Sequence, residues 1–194
     1  MAITLKPHSN ESVPAVRLAQ FDNSGALQDI GSSYPLITIA VEHARIHEGR
    51  LFTGGKMWDS TAKVASGSTV DLLITTSASK RPHFIVDVES GGDAEIYVYE
   101  NTTATGGTTC TMVNRNRNSA ITCETVVVHT PTVTSVGTLI DSSLLAGGGG
   151  KKSSGGAGGF GGEFVTAYST AYLVRVKNTS GASQPINIVA WLYE

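Results

Sequence analysis

Seven short runs dominate the chain, each of about five to ten residues and each rich in β-branched and aromatic side chains. They are residues 69–77 (TVDLLITTS), 83–90 (HFIVDVES), 94–101 (AEIYVYEN), 108–113 (TTCTMV), 119–128 (SAITCETVVV), 170–178 (TAYLVRVKN) and 185–194 (PINIVAWLYE). Gly, Pro, Asn and Ser punctuate them, and no helix-length window sustains an apolar 3.6-residue period with caps at both ends. Strands this short must bury one face against a second sheet. The expected fold is therefore all-β: an antiparallel β-sandwich, jelly-roll-like. In the closing run Ile186, Ile188, Ala190 and Leu192 fall on one face, and Val189, Trp191 and Tyr193 on the other. A strand apolar on both sides belongs in the centre of a sheet or against a neighbouring subunit.

Two segments depart from this pattern. Residues 1–33 are interrupted by Pro7 and Pro14 and carry the turn-like stretch QFDNSGALQDIGSS, so they are expected to form an extended N-terminal arm resting on an adjacent subunit. The second segment, residues 146–163, has ten glycines between Gly147 and Gly162. Backbone entropy there is large and apolar surface small, which predicts a glycine-rich loop inserted into one sandwich domain spanning 34–194.

With 194 residues the chain is long enough to bury a substantial core. Its formal net charge is −2 and only 15% of its residues are charged, against a globular average of roughly 25%. Binding to a polyanion rests on Lys and Arg, so neither nucleic acid nor an anionic membrane is expected as a partner. No stretch approaches the roughly 20 apolar residues that span a bilayer, and residues 1–14 lack the order of a signal peptide. Synthesis in the cytosol is the expectation.

The chemical motifs are weak. The tract around Gly150-Lys151 fails as a phosphate loop because Lys152 stands where Ser or Thr is needed. His43 and His47 are four apart, a spacing that on a helix would bring two metal ligands to one face. They lack the Glu of a zincin and an obvious third ligand, and on a strand His43, Arg45 and His47 would share one face as a polar stripe or interface. Asp87, Glu89, Asp93 and Glu95 flank a Gly-Gly turn, as solvated hairpin ends do. No nucleophile with a base partner is visible. The expectation is no catalysis, no cofactor and no metal.

NRNRN, residues 114–118, stands between two cysteines. A hairpin folded about Asn116-Arg117 would set Cys110 opposite Cys123, so a cross-strand disulfide is geometrically conceivable, while two reduced, half-buried thiols are the alternative in a cytosolic product. Asn114, Asn116 and Asn118 suit a tight turn. Arg115 and Arg117 would then project from its tip and pair with carboxylates of a neighbouring chain, since no aromatic platform or basic surroundings favour a nucleic acid. Arg115, Arg117 and Asn116, with His43, Arg45 and His47, are thus the candidate interface residues.

The order of features resembles small structural proteins of tailed bacteriophages, of the jelly-roll capsid decoration or cement type. Three stretches carry the resemblance: ITIAVEHARIHEGRLF (37–52), the segment 85–119 from IVDVES to NRNRNS, and YLVRVKNTSGASQPINIVAWLYE (172–194). Within them stand Ile46-His47-Glu48-Gly49 with Phe52, Gly107-Thr108 with Asn114, Asn116 and Arg117, and Asn178 with Ser180, Trp191, Tyr193 and Glu194. The resemblance implies a non-enzymatic virion component on the outer capsid surface, made in the host cytoplasm. Its implied partners are copies of itself, as a trimer, and the major capsid protein of the same phage. A neck, tail or fibre component of the virion, and a carbohydrate-binding β-sandwich module, are the alternatives; the second has only Trp58 and Trp191 to offer a sugar.

Overall fold

The computed structural model describes residues 4–7, 16–21, 27–29, 41–146, 158–159 and 163–194. The chain divides into two compact units, residues 1–41 and 42–194. In the first, the stretch expected as an arm contains three strands, β1 (Thr4–Pro7), β2 (Val16–Phe21) and β3 (Leu27–Asp29), paired antiparallel in that order. The rest of that stretch lies outside the described residues, as does the glycine tract apart from one two-residue strand.

The helix α1 (Val41–His47) begins at the last residue of the first unit and leads into the second, which continues through β4 (Leu51–Trp58), β5 (Thr69–Thr75), β6 (His83–Ser90) and β7 (Ala94–Glu100). Next come β8 (Thr103–Thr105), β9 (Thr108–Thr109), β10 (Val113–Asn114), β11 (Val126–His129), β12 (Thr132–Ser135) and β13 (Thr138–Leu145). The chain ends through β14 (Gly158–Gly159), β15 (Phe164–Val165), β16 (Ala171–Asn178) and β17 (Ile186–Tyr193). One sheet has the order β10-β4-β17-β6-β14, with β15 also on β6, and the other the order β13-β7-β16-β5-β11-β9. β8 and β12 pair separately. β4 to β7 switch sheets at every step, and β17 returns between β4 and β6 just as β16 returns between β5 and β7. This interleaving is jelly-roll connectivity: an antiparallel sandwich, as the alternating runs predict.

The alternation decides which side chains enter the core. Phe84, Val86 and Val88 of β6 and Ile186, Ile188 and Leu192 of β17 point inward, against Leu72 and Ile74 of β5, Ile96 and Val98 of β7, and Val174 and Val176 of β16. All are essentially inaccessible, and such side chains contribute about 1.5–3 kcal/mol each on burial. Phe84 stacks on Phe164, ring centroids 5.1 Å apart. β17 is central, as its two apolar faces suggest.

Two long strands, β4 and β13, lie outside the seven runs. In β4 the pair Gly54-Gly55 reads as a turn, yet both residues are extended and paired with β17. The reason is steric. A Cβ on Gly55 would lie 2.0 Å from the Ile188 carbonyl oxygen, and one on Gly54 would lie 2.8 Å from the Thr111 carbonyl oxygen. These glycines mark close approach of neighbouring chains, a known use of Gly inside a strand.

The hairpin about Asn116-Arg117 is the one register the structure corrects. Residues 108–109 do pair antiparallel with β11, but Thr109 faces Val128 and the Cys110 N–H donates to the Val127 carbonyl at 2.8 Å. Residues 110–125 then form a wide excursion, and Val113 and Asn114 cross to the other sheet to pair with Thr53 and Phe52 of β4. An unpaired edge of β4 offers those hydrogen bonds; a closed hairpin would forfeit them.

Replacing Gly55 with Ala forces the new methyl into backbone rather than into a yielding side chain, so the β4–β17 ladder must part. Urea unfolding should show a loss of about 1–3 kcal/mol or more; an unchanged midpoint would mean that the approach of β4 to β17 is not the constraint.

Candidate functional site

The candidate interface residues gather around the end of α1 and the excursion 110–125. α1 stops in a Schellman arrangement: Arg50 N–H donates to the Arg45 carbonyl at 2.9 Å and Gly49 N–H to the Ile46 carbonyl at 3.0 Å. Gly49, at φ +69°, supplies the left-handed residue this ending needs. Two carbonyls still need donors, and NRNRN provides them. Asn116 Nδ2 donates to the His47 carbonyl at 3.0 Å, and Asn114 Nδ2 donates both to the Gly49 carbonyl at 2.8 Å and to the Ile121 carbonyl at 2.9 Å.

The same asparagines shape their own loop. Asn114 Oδ1 accepts from Asn116 N–H at 2.9 Å, and Asn116 Oδ1 accepts from Asn118 N–H at 3.1 Å. These are consecutive Asx turns. Asn114 is buried with three hydrogen bonds, so it acts as a clamp between α1, β4 and the loop rather than as a hairpin tip.

The arginines part company. Arg115 N–H donates to the Leu51 carbonyl at 2.8 Å, and its guanidinium lies 4.9 Å from the centre of the Trp191 ring. Trp191 Nε1 in turn donates to Asp87 Oδ2 at 2.7 Å. A cation over one face of the indole and a carboxylate at its edge fix the ring between β4 and β6. Arg117 is exposed and makes no hydrogen bond or ion pair among the described residues.

Trp191 sits on the outward face of its sheet, in a row with Thr53 and Ile85; the adjoining row is Gly55, Val189 and Asp87, and Met57 beyond it is 59% exposed. The opposite sheet presents a different exterior. Arg175 holds Asp71 through two bonds of 2.8 and 2.7 Å, and Lys177 reaches Glu95 at 3.4 Å. That face also carries the stacked Tyr97 and Tyr99 and the exposed Leu139 and Leu144, so the two exteriors differ chiefly in that Arg175 and Lys177 are held by carboxylates on one and Arg115 lies over an indole on the other.

A second clamp went undetected in the sequence. Glu194, directly after β17, has a side chain only 1% exposed. Its carboxylate accepts from the Glu124 N–H at 2.9 Å and the Thr125 N–H at 2.8 Å, with Cys123 Sγ at 3.4 Å and Lys80 Nζ at 3.7 Å. Lys80 also reaches Glu124 at 3.0 Å, and Ser79 donates to the same carboxylate. The contact spans some 70 residues of sequence. No local spacing could announce it.

Cys110 and Cys123 are free thiols. The expected facing pair is absent because Cys110 lies opposite Val127 while Cys123 turns to Glu194. Burial pushes both thiols above their ordinary range; for Cys123, burial first and the neighbouring Glu194 second raise it to about 12. His43, Arg45 and His47 lie on α1 rather than on a strand, so they do not share one face. Arg45 pairs with Glu48 at 2.9 Å, while the Nε2 atoms of His43 and His47 stand 2.9 Å apart. Among the described residues no cluster of three or more His, Cys, Asp or Glu is arranged to hold a metal.

The Cys123 site carries a signed pH dependence. Below about pH 9 the thiol is protonated in folded and unfolded chains alike; between there and about 12 only the unfolded chain releases the proton, so this group's contribution to stability is lost as pH rises. That extra alkaline decline should vanish in Cys123→Ser. Glu194→Gln should cost about 1–3 kcal/mol in urea unfolding and speed native thiol modification at pH 8; modification at the wild-type rate would show that Glu194 does not guard the thiol. No protein-family model matches the chain, and no curated protein or solved structure matches it either.

Proposed function

We propose that the protein is a non-enzymatic structural component of a phage virion, seated on the outer surface of the capsid, where it reinforces contacts between neighbouring subunits. The observation that supports this reading is the outward face of the β4-β17-β6 sheet. It combines a half-buried Trp191, an arginine stacked on it, and exposed or half-exposed Met57, Val189 and Ile85. Tryptophan and arginine above aliphatic side chains is the composition of an interface centre, where a few residues carry most of the binding energy. The sequence motifs that resemble decoration proteins converge on this region: Ile46-His47-Glu48-Gly49 ends α1, Asn114 and Asn116 cap it, and Trp191 lies beneath Arg115.

Reinforcement requires added interface and no chemistry. A trimer placed at a junction of the shell would multiply weak contacts into a strong one, because each further contact forms at high effective concentration. Arg117, exposed and unengaged within its own unit, suits a carboxylate of the adjoining chain.

Trp191→Ala should lower occupancy on undecorated shells by tenfold or more, and Arg117→Ala should weaken it with the circular dichroism spectrum unchanged. Binding of both variants at wild-type concentrations would remove this face from the interface. Specific capture on a glycan array, with no affinity for shells, would replace the virion reading by a carbohydrate-binding one.

A further inference from the structure

We propose that His43 and His47 form a surface chelate for a divalent transition-metal ion of the Cu2+, Ni2+ and Zn2+ class. Their spacing of four puts both rings on one face of α1, and both are exposed. The decisive quantity is the bite. Metal–imidazole bonds of about 2.0–2.1 Å meeting at about 90° separate two nitrogens by about 2.9 Å, and the two Nε2 atoms stand 2.9 Å apart. The ring centroids are 4.6 Å apart and inclined at 65°. Binding requires each exposed ring to reorient from this mutual contact so that both lone pairs face one ion.

In the metal-free pair one Nε2–H donates to the other nitrogen. Chelation needs both nitrogens as acceptors, which is achieved when that proton moves to Nδ1 of its own ring; the neutral tautomer changes and no net charge is displaced. A cis, tetragonal bite suits Cu2+, which also heads the affinity order for such ligands. Two protein nitrogens leave the remaining positions to solvent, since no third ligand joins them among the described residues. The nearest cation on the helix is already neutralised, Arg45 being held by Glu48 at 2.9 Å.

The site is preorganised from its C-terminal side. The Schellman ending and the Asn116 donation to the His47 carbonyl hold the backbone of the last turn, so the two Cα positions from which the rings extend are set by the fold. Preorganisation is what an isolated seven-residue helix lacks.

The test is titration of the full chain with CuCl2, followed by calorimetry and electron paramagnetic resonance. One ion per chain with superhyperfine splitting from two imidazole nitrogens is expected. His43→Gln and His47→Gln should each weaken binding roughly tenfold or more, while His83→Gln, on β6 and paired with Glu163 at 2.8 Å, should leave it unchanged. ZnCl2 should compete for the same site. A wild-type spectrum with fewer than two nitrogens, or equal binding by either single variant, would overturn the proposal; the wild-type spectrum alone suffices if a variant fails to fold.

Discussion

Strand β17 has hydrogen-bonding neighbours along its full length on both edges, β4 on one side and β6 on the other, and this double pairing governs much of what surrounds it. Residues 51 and 193 become neighbours across a whole domain of intervening chain. Leu192, Ala190, Ile188 and Ile186 are thereby committed to the core, and a slip of one residue would exchange them for Trp191, Val189 and Asn187. Gly55 is a consequence of the same pairing, because a side chain there would strike the β17 backbone, while Gly54 makes room for Thr111 and Met112 of the excursion. The pairing also carries Glu194 to the mouth of the 110–125 excursion, where its carboxylate secures two amides.

The two exteriors of the sandwich place their charged groups differently. On the β7-β16-β5 side, charges meet charges across strands: Arg175 grips Asp71, and Lys177 approaches Glu95. The same face also leaves Leu139 and Leu144 exposed beside the stacked Tyr97 and Tyr99. On the β4-β17-β6 side the charged groups instead frame an indole, Asp87 at its edge and Arg115 above it, among aliphatic side chains. Water gains little from solvating that surface, and a partner would gain from covering it.

Much of this fold is legible in the sequence because strand alternation is local. Residues 83–90 display Phe84, Val86 and Val88 at period two, and the structure buries those three. β4 escaped because Gly-Gly is a turn signal whenever close packing is not known in advance. β13 escaped because TLIDSSLL mixes polar and apolar positions without strict alternation, and its ladder on β7 contains an irregularity between Leu139 and Asp141. The candidate site was visible as composition but not as architecture. NRNRN announces a turn; that its asparagines serve the carbonyls of α1 depends on contacts some 65 and 69 residues away. Glu194 stands out only as part of the closing motif, and its burial was illegible, since that is decided by the amides that happen to face it.

The alternation in NRNRN acquires a physical meaning from this arrangement. Asn is short and carries both a donor and an acceptor, so Asn114 and Asn116 can reach back to main-chain groups and close the loop on itself. Arg is long and carries only donors, so the intervening residues cannot serve those turns and extend outward instead, Arg115 onto an aromatic face and Arg117 into solvent. The asparagines hold the loop through side-chain hydrogen bonds, Arg115 ties it to β4 through its N–H and to β17 through Trp191, and Arg117 adds no contact within the described residues. A change at an asparagine therefore acts through the fold, loosening α1 and the excursion together, whereas a change at Arg117 acts only on what lies outside the chain. Inward and outward roles thus alternate residue by residue, and the period of two arises from that difference in side-chain chemistry rather than from a strand.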